Sequence, residues 1–320
     1  MKFERPPSNP AETQYGSYLE KNETLIERAH EKAAALIARE AVDPKGFDDV
    51  YSSDEIENDL KRVAERTATF ENKDRSSLMD KAALAAEALM YEQVGKSDWL
   101  SGEGVKVYPE KTTDSDDIFN KTDLVLTFET GEDEEPLAVT VDVTIGMRTL
   151  TEKIHSIKQE IDTQSLTTVK YHETPSGEHV PLEKAPRVIL GIEPETLMEL
   201  LPLWLTGDAQ GRERLKTHPV QLDVALAIEM QLKAYEEYAR TTGKENTADR
   251  FKAASGIITA ICRGKVRSST EPVKRKEGRL LRDLRTALDS QLLNPSSKKV
   301  LKESSLEERK RLEIIKRLRR

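Results

Sequence analysis

Two aspartates beside short apolar segments are the residues of this chain best suited to chemistry. Asp123 precedes the run Leu-Val-Leu at 124–126, and Asp142 lies inside the run Val-Thr-Val-Asp-Val-Thr. A carboxylate in an apolar strand is costly unless a cation or a hydrogen-bond donor accompanies it. Pairing of the two strands would bring the carboxylates side by side, and hard cations such as Mg²⁺ select carboxylate oxygens. The pair therefore predicts a metal-dependent enzyme.

The segments around these aspartates predict a sheet with helices on either side. Apolar alternation predicts strands at 104–108, 122–129, 137–144 and 187–192, and helical periodicity predicts helices at 76–94 and 149–161, with an acidic loop at 113–117. The first three strands can form an antiparallel meander, and the helix after them can return the chain so that the fourth strand joins the sheet. The expected fold class is α/β (α+β), a mixed sheet of four to five strands in the order αβββαβ.

The remaining chain is predicted to be helical, with helices at about 18–41, 52–69, 194–205, 219–241, 245–264, 276–292 and 305–318. We therefore expect three regions. Residues 1–75 form a helical extension whose start, 1–15, is disordered; residues 76–215 form the core around the aspartates; residues 216–320 form a helical C-terminal region with a basic tail.

The element order and the aspartates resemble the PD-(D/E)XK superfamily, the restriction-endonuclease-like nucleases, over about residues 76–193. In that family the second strand carries an aspartate and the third carries an acid, any residue and then lysine. Asp123 matches the first of these positions and Asp142 matches the acid of the third strand. The resemblance implies an endonuclease or related hydrolase that uses Mg²⁺ or Mn²⁺ and acts in repair, recombination, defence or mobile-element processing.

A glutamate on the first helix often joins the two acids around the metal in that family, and two residues compete for the position. Glu92 lies near the edge of the apolar face that Ala85 and Leu89 define, whereas Glu87 projects away from that face. The sequence around Glu87 is nevertheless the more typical of the family, so Glu87 is preferred and Glu92 stays open. Of the acids before the second strand, Asp117 is preferred to Asp116 as a further ligand.

The chain departs from the family pattern at Thr144, which stands where the lysine is expected. Threonine carries no charge with which to orient a water or to neutralise a phosphate. Some divergent members supply the lysine from the following helix, where this chain has Lys153 and Lys158. Lys153 is the preferred replacement because it is nearer the start of the helix, and Arg148 is a weaker one.

Composition limits the other functions that the chain could have. Residues 263–320 carry a net charge of +11 and the preceding residues −19, and such a basic segment could contact a polyanion. We expect the partner to be nucleic acid, DNA rather than RNA, with a homodimer left open. No apolar run approaches the ~20 residues that span a bilayer, and a single cysteine gives no disulfide framework, so we expect a cytoplasmic protein without a membrane partner.

The substitution at Thr144 also supports a second hypothesis. A nuclease-like fold that has lost catalysis could serve as a nucleic-acid-binding module or a protein scaffold. The two hypotheses differ in where a lysine ammonium lies. The enzyme requires Lys153 or Lys158 close to the pair Asp123 and Asp142, whereas the scaffold does not.

Overall fold

The computed structural model describes residues 10–71, 77–131, 135–146, 149–268 and 278–292. Within these ranges the helices are α1 Pro10–Lys21, α2 Glu23–Glu40, α3 Ser53–Glu71, α4 Leu78–Lys96, α5 Asp114–Asn120, α6 Leu150–Thr163, α7 Pro194–Thr206, α8 Ala209–Lys216, α9 Val220–Thr241, α10 Glu245–Ser268 and α11 Arg279–Leu292. The strands are β1 Lys106–Lys111, β2 Leu124–Glu129, β3 Leu137–Ile145, β4 Thr167–Glu173, β5 His179–Ala185 and β6 Arg187–Ile192.

The central sheet has four strands in the order β1-β2-β3-β6. Strands β1, β2 and β3 form the predicted antiparallel meander, and β6 pairs in parallel with β3 after the chain has passed through α6. The predicted αβββαβ order and mixed sheet are therefore confirmed. Strands β4 and β5 form a separate two-stranded antiparallel sheet.

Strand β6 and most of β2 are buried along their length, which is why both are almost continuously apolar in sequence. Strand β1 is different because it contains Pro109 and forms one edge of the sheet. An edge strand tolerates proline, since one side of its backbone has no neighbouring strand to bond. The strand consequently runs on to Lys111, beyond the predicted end at 108.

One hydrophobic core extends across the three regions expected from the sequence. Its buried members include Ile26 of α2, Leu89 of α4, Val141 of β3, Ile228 of α9 and Leu284 of α11. Helix α4 packs against β1 and β3, and α9 packs against β6. The described core crosses the positions 75 and 215, and the domain boundaries proposed there remain predictions.

Two local expectations were wrong, and one helix was missed. The acidic segment 113–117 is not a loop but the start of α5, because the Thr113 side chain caps the helix by accepting the Asp116 N–H. The disordered start does not extend to residue 15, since α1 begins at Pro10, and proline suits a first helical position. Helix α8 was not predicted. Residues 1–9 and the predicted helix 305–318 lie outside the described residues.

In the described part of the chain, no helix combines the length and the apolar composition that crossing a membrane requires.

Candidate functional site

The register of the sheet brings the two aspartates together. Strands β2 and β3 pair up to Leu124 opposite Val141, and Asp123 and Asp142 follow at this end of the ladder. The Asp123 N–H donates to the Val141 carbonyl at 2.9 Å, so the backbone of Asp123 stays bonded to β3. The Asp123 carboxylate in turn accepts the Val143 N–H at 2.6 Å. Strand pairing therefore brings both aspartates to the same end of the sheet.

Both aspartates line a cavity of about 410 Å³ at this end of the sheet. Its walls carry carboxylates and cations together, since the lining residues are Asp117, Lys121, Asp123, Asp142, Val143, Thr149, Glu152, Lys153, Ser156 and Arg187. Strands β3 and β6 with helices α5 and α6 supply these side chains, apart from Lys121, Asp123 and Thr149 in the adjoining turns. The mixture of charges suits a ligand that carries both phosphate and a cation.

Asp142 is held by two cations. The Lys153 ammonium, from α6, donates to Asp142 Oδ1 and lies 3.4 Å from the Val143 carbonyl oxygen. The Arg187 guanidinium, at the start of β6, lies 3.6 Å from Asp142 Oδ2 and also pairs with Glu160. Arg187 is fully buried and Asp142 is 6% exposed. The lysine preferred from the sequence thus meets the third-strand acid.

A second ion pair lies beside Asp123, formed by Glu87 of α4 and Lys111 at the end of β1. The Lys111 ammonium is 3.0 Å from Glu87 Oε1, 4.0 Å from Asp117 Oδ2 and 3.2 Å from the Asp123 carbonyl oxygen. Glu92 is elsewhere, since it bonds Lys96 and the Trp204 indole. Glu87 is therefore the helix glutamate near the aspartates. Helix α4 is buried on several faces, so the narrow apolar face inferred from periodicity misplaced Glu87.

Two acids of α5, Asp116 and Asp117, have different surroundings. Asp117 lines the cavity and faces Lys111 and Asp123. Asp116 is fully buried and accepts backbone N–H groups of Lys170 at 2.9 Å and Tyr171 at 3.3 Å, which fixes α5 on β4. Asp117 therefore remains the candidate ligand, and Asp116 stabilises the element that carries it.

The carboxylates repel one another. Burial, followed by the charges of Glu87, Asp117 and Asp142, raises the pKa of Asp123 well above its ordinary value, although Lys111 opposes this. Burial also raises the pKa values of Glu87 and Asp117 against the lowering effect of Lys111. Burial and repulsion among the acids thus outweigh the effect of Lys111 on these pKa values, and an added cation would relieve that repulsion.

The other candidates lie away from the aspartates or outside the described residues. Lys158 pairs with Asp162 at 2.8 Å and lies over the Tyr238 ring. Thr144 is buried, and its hydroxyl is 3.3 Å from that of Thr149 at the start of α6. Arg148 lies outside the described residues. Lys153 is consequently the only one of the three suggested cations that the described structure places at the site.

Sequence reasoning missed Lys111, Arg187 and Lys121. Lys111 was missed because Pro109 obscured the continuation of β1. Arg187 offered the same signal as Asp142, a charge beside a buried strand, and that signal could have identified it. Lys121 follows α5, which was itself missed. The capping pattern Thr113-x-x-Asp116 could have revealed that helix.

The chemistry of the donors fits Mg²⁺ or Mn²⁺, since Asp117, Asp123, Asp142 and the neighbouring Glu87 offer only carboxylate oxygens. The arrangement differs from a preformed metal centre. Among the residues that the structure describes, no three Asp, Glu, His or Cys side chains form a ready-made metal-binding group. Asp142 faces Lys153 and Arg187, and Glu87 faces Lys111, so a metal would have to displace some of these ion pairs.

Comparison with family models, curated proteins and solved structures found no match to this chain. The resemblance to restriction-endonuclease-like nucleases accordingly depends on element order and on the acids and lysines of the site.

Proposed function

We propose that this chain is a divalent-metal-dependent nuclease of the restriction-endonuclease-like type that hydrolyses phosphodiester bonds of DNA. One observation carries the proposal. The Lys153 ammonium contacts Asp142 in a cavity that Asp123 and Asp117 also line, on a sheet with the order that the family requires. An ammonium beside strand carboxylates is the combination that the resemblance to restriction-endonuclease-like nucleases implies.

Asp123 and Asp142, with Asp117 and Glu87 beside them, would hold one or two Mg²⁺ or Mn²⁺ ions. When bound, the metal supplies a more acidic water and stabilises charge on the phosphate. The Val143 N–H fixes the Asp123 carboxylate, and α6 fixes the stem of Lys153. Once it is released from Asp142, the Lys153 ammonium would orient the attacking water or the developing oxyanion.

Charge supports a nucleic-acid partner. Lys121, Lys153 and Arg187 line the cavity itself. The chain beyond residue 262 has a net charge of +11, although most of that segment lies outside the described residues. Backbone contacts by such residues would supply affinity that does not depend on base sequence.

A second candidate function is a nuclease-like fold without catalysis that binds nucleic acid or serves as a protein scaffold. The specific observation in its favour is that Lys153 and Arg187 already compensate Asp142. Buried ion pairs of this kind can be structural. Unlike the nuclease, this module would need no metal.

A cleavage assay separates the two candidates. Wild type, Asp123→Ala and Asp142→Ala are incubated with single-stranded, duplex and branched DNA, with Mg²⁺, with Mn²⁺ and with EDTA. We expect metal-dependent cutting by wild type and loss of cutting in both variants. Binding of these DNAs by a wild type that cuts none of them would contradict the nuclease and favour the scaffold.

A further inference from the structure

One corner of the cavity, formed by Lys121 and Ser156, is not used by the proposed hydrolysis. Lys121 follows α5 and has a left-handed backbone, with φ 55° and ψ 44°. Its ammonium donates to Ser156 Oγ of α6 at 3.1 Å. Both residues line the same cavity as Asp123 and Lys153. The corner therefore adjoins the carboxylates without belonging to them.

The Lys121 ammonium retains capacity to bind an anion. A lysine ammonium has three N–H donors, and Ser156 accepts one of them. In the described part of the chain Lys121 forms no ion pair, whereas Lys111, Lys153 and Lys158 each face a carboxylate. The Lys121 side chain is also exposed, so its remaining donors are accessible to a ligand.

The Ser156 hydroxyl is oriented by the same contacts. Ser156 Oγ accepts from Lys121 and also from Arg187 Nη2 at 3.0 Å. A hydroxyl offers two lone pairs and one proton, so both acceptor positions are in use and the O–H must point away from the two cations. No described residue accepts that proton. Ser156 thus adds a neutral donor beside an available ammonium.

We infer that Lys121 and Ser156 bind a non-reacting phosphate of the nucleic-acid backbone, next to the phosphate that is cut. This inference rests on the proposed nuclease function and assigns the corner the task of positioning the substrate. The site uses one ammonium and one hydroxyl of the chain itself, so it binds phosphate without a metal. Glu152 lines the same cavity, and its negative charge weakens binding of the phosphate there.

The test is the affinity of the full chain for a short duplex DNA in EDTA, measured by fluorescence anisotropy over a range of salt concentrations. The variants are Lys121→Gln, Lys121→Arg, Ser156→Ala and Glu152→Gln. Lys158→Gln is the matched control. It removes a lysine from the same region, and that lysine pairs with Asp162 outside the cavity.

Lys121→Gln is expected to bind about tenfold more weakly than wild type, the size of one charged contact. For this variant, the slope of the logarithm of the binding constant against the logarithm of the salt concentration should be shallower by about 0.9, the value for one neutralised phosphate. Lys121→Arg should retain binding, Ser156→Ala should lose part of it, Glu152→Gln should gain, and Lys158→Gln should match wild type.

If Lys121→Gln bound the duplex DNA with the same affinity and salt dependence as Lys158→Gln, the inference would be overturned. The nuclease proposal would be unaffected by that result. A wild type that binds no DNA in EDTA would also overturn it, because the corner is charged without metal. The nuclease proposal is decided separately, by metal-dependent cleavage.

Discussion

At the scale of single residues, the charge on Asp142 is the centre of the site. Two cations reach this one carboxylate, Lys153 from the helix that follows the strand and Arg187 from the neighbouring strand. Arg187 is fully buried and also bonds Glu160, whereas Lys153 is partly exposed at the cavity. Arg187 is thus the fixed partner of Asp142, and Lys153 is the partner that can turn to a substrate.

The first prediction concerns the two lysines of α6. Lys153→Gln should lower the rate of metal-dependent DNA cleavage about 100- to 1000-fold, the loss typical of one group that stabilises transition-state charge. Lys158→Gln should cut at nearly the wild-type rate, because Lys158 pairs with Asp162 away from the cavity. Cleavage rates under single-turnover conditions measure both. Equal rates for the two variants would remove Lys153 from the mechanism.

The second prediction concerns Asp123, whose pKa is raised by burial and by its acidic neighbours. Between the ordinary aspartate pKa and this raised value, the folded state binds more protons than the unfolded state. The free energy of unfolding therefore falls as pH rises through that window. Asp123→Asn removes the charge and keeps an oxygen that can accept the Val143 N–H.

Asp123→Asn should consequently have a larger free energy of unfolding than metal-free wild type at about pH 7. The difference should shrink toward about pH 4, where the carboxyl is protonated in an increasing share of both states. Urea unfolding in EDTA at several pH values measures it. A variant less stable than wild type at neutral pH would show that the buried charge is well compensated and that repulsion among the acids does not destabilise the metal-free protein.

The sequence identified the acids of the site more readily than the cations. Asp123 and Asp142 were recognisable because a carboxylate beside an apolar strand is costly and thus rarely accidental. Lys111 ends a strand that proline obscured, and the nearness of Glu87 depends on how α4 packs on that strand. Periodicity along one helix cannot report such a contact between elements.

At the scale of elements, helix α5 is the support that brings Asp117 and Lys121 to the cavity. Its first turn is fixed by Asp116, whose buried carboxylate accepts backbone N–H groups of Lys170 and Tyr171 and the Asn120 amide. By accepting N–H groups of β4, this carboxylate of α5 links the helix to that strand. The positions of Asp117 and Lys121 in the cavity wall therefore depend on one residue that does not face the cavity.

The third prediction is that Asp116→Ala lowers the free energy of unfolding by about 3 kcal/mol, because it leaves buried backbone donors unpaired. Asp114→Ala is the control, since Asp114 is exposed in the same turn and should change stability by only about 0.5 kcal/mol. Urea or thermal unfolding compares them. Equal stabilities would mean that water replaces the Asp116 carboxylate at those donors.

The sheet was more predictable than its connections. Alternation and apolar runs predicted β2, β3 and β6, and the succession of three strands predicted the meander. The extension of β1 and the existence of α5 were missed, because Pro109 and a run of aspartates normally mark loops. An unpaired sheet edge and a threonine cap override those local preferences.

At the scale of the whole molecule, helices from both ends of the described chain share the core of the sheet. The two tryptophans report on this packing. The Trp99 indole donates to the Leu215 carbonyl at 2.9 Å, and the Trp204 indole donates to Glu92 at 2.6 Å. Both rings are buried, so each links segments that are distant in sequence.

The fourth prediction is that the described core unfolds in one cooperative transition. Because the core crosses the boundaries at 75 and 215, tryptophan fluorescence and far-ultraviolet circular dichroism should give coincident midpoints in urea. Two separated transitions would contradict a shared core and would instead support independent domains on either side of one boundary.

The central claim is that Asp117, Asp123 and Asp142 act together as one divalent-metal site, and calorimetric titration with Mn²⁺ tests it most directly. We predict saturable binding of one or two ions by wild type, weakened at least tenfold in Asp123→Asn and in Asp142→Asn, as expected when a charged ligand is lost. Asp114→Asn, an exposed acid of the same region, should bind like wild type. Absence of binding by wild type, or binding that neither substitution weakens, would contradict the claim.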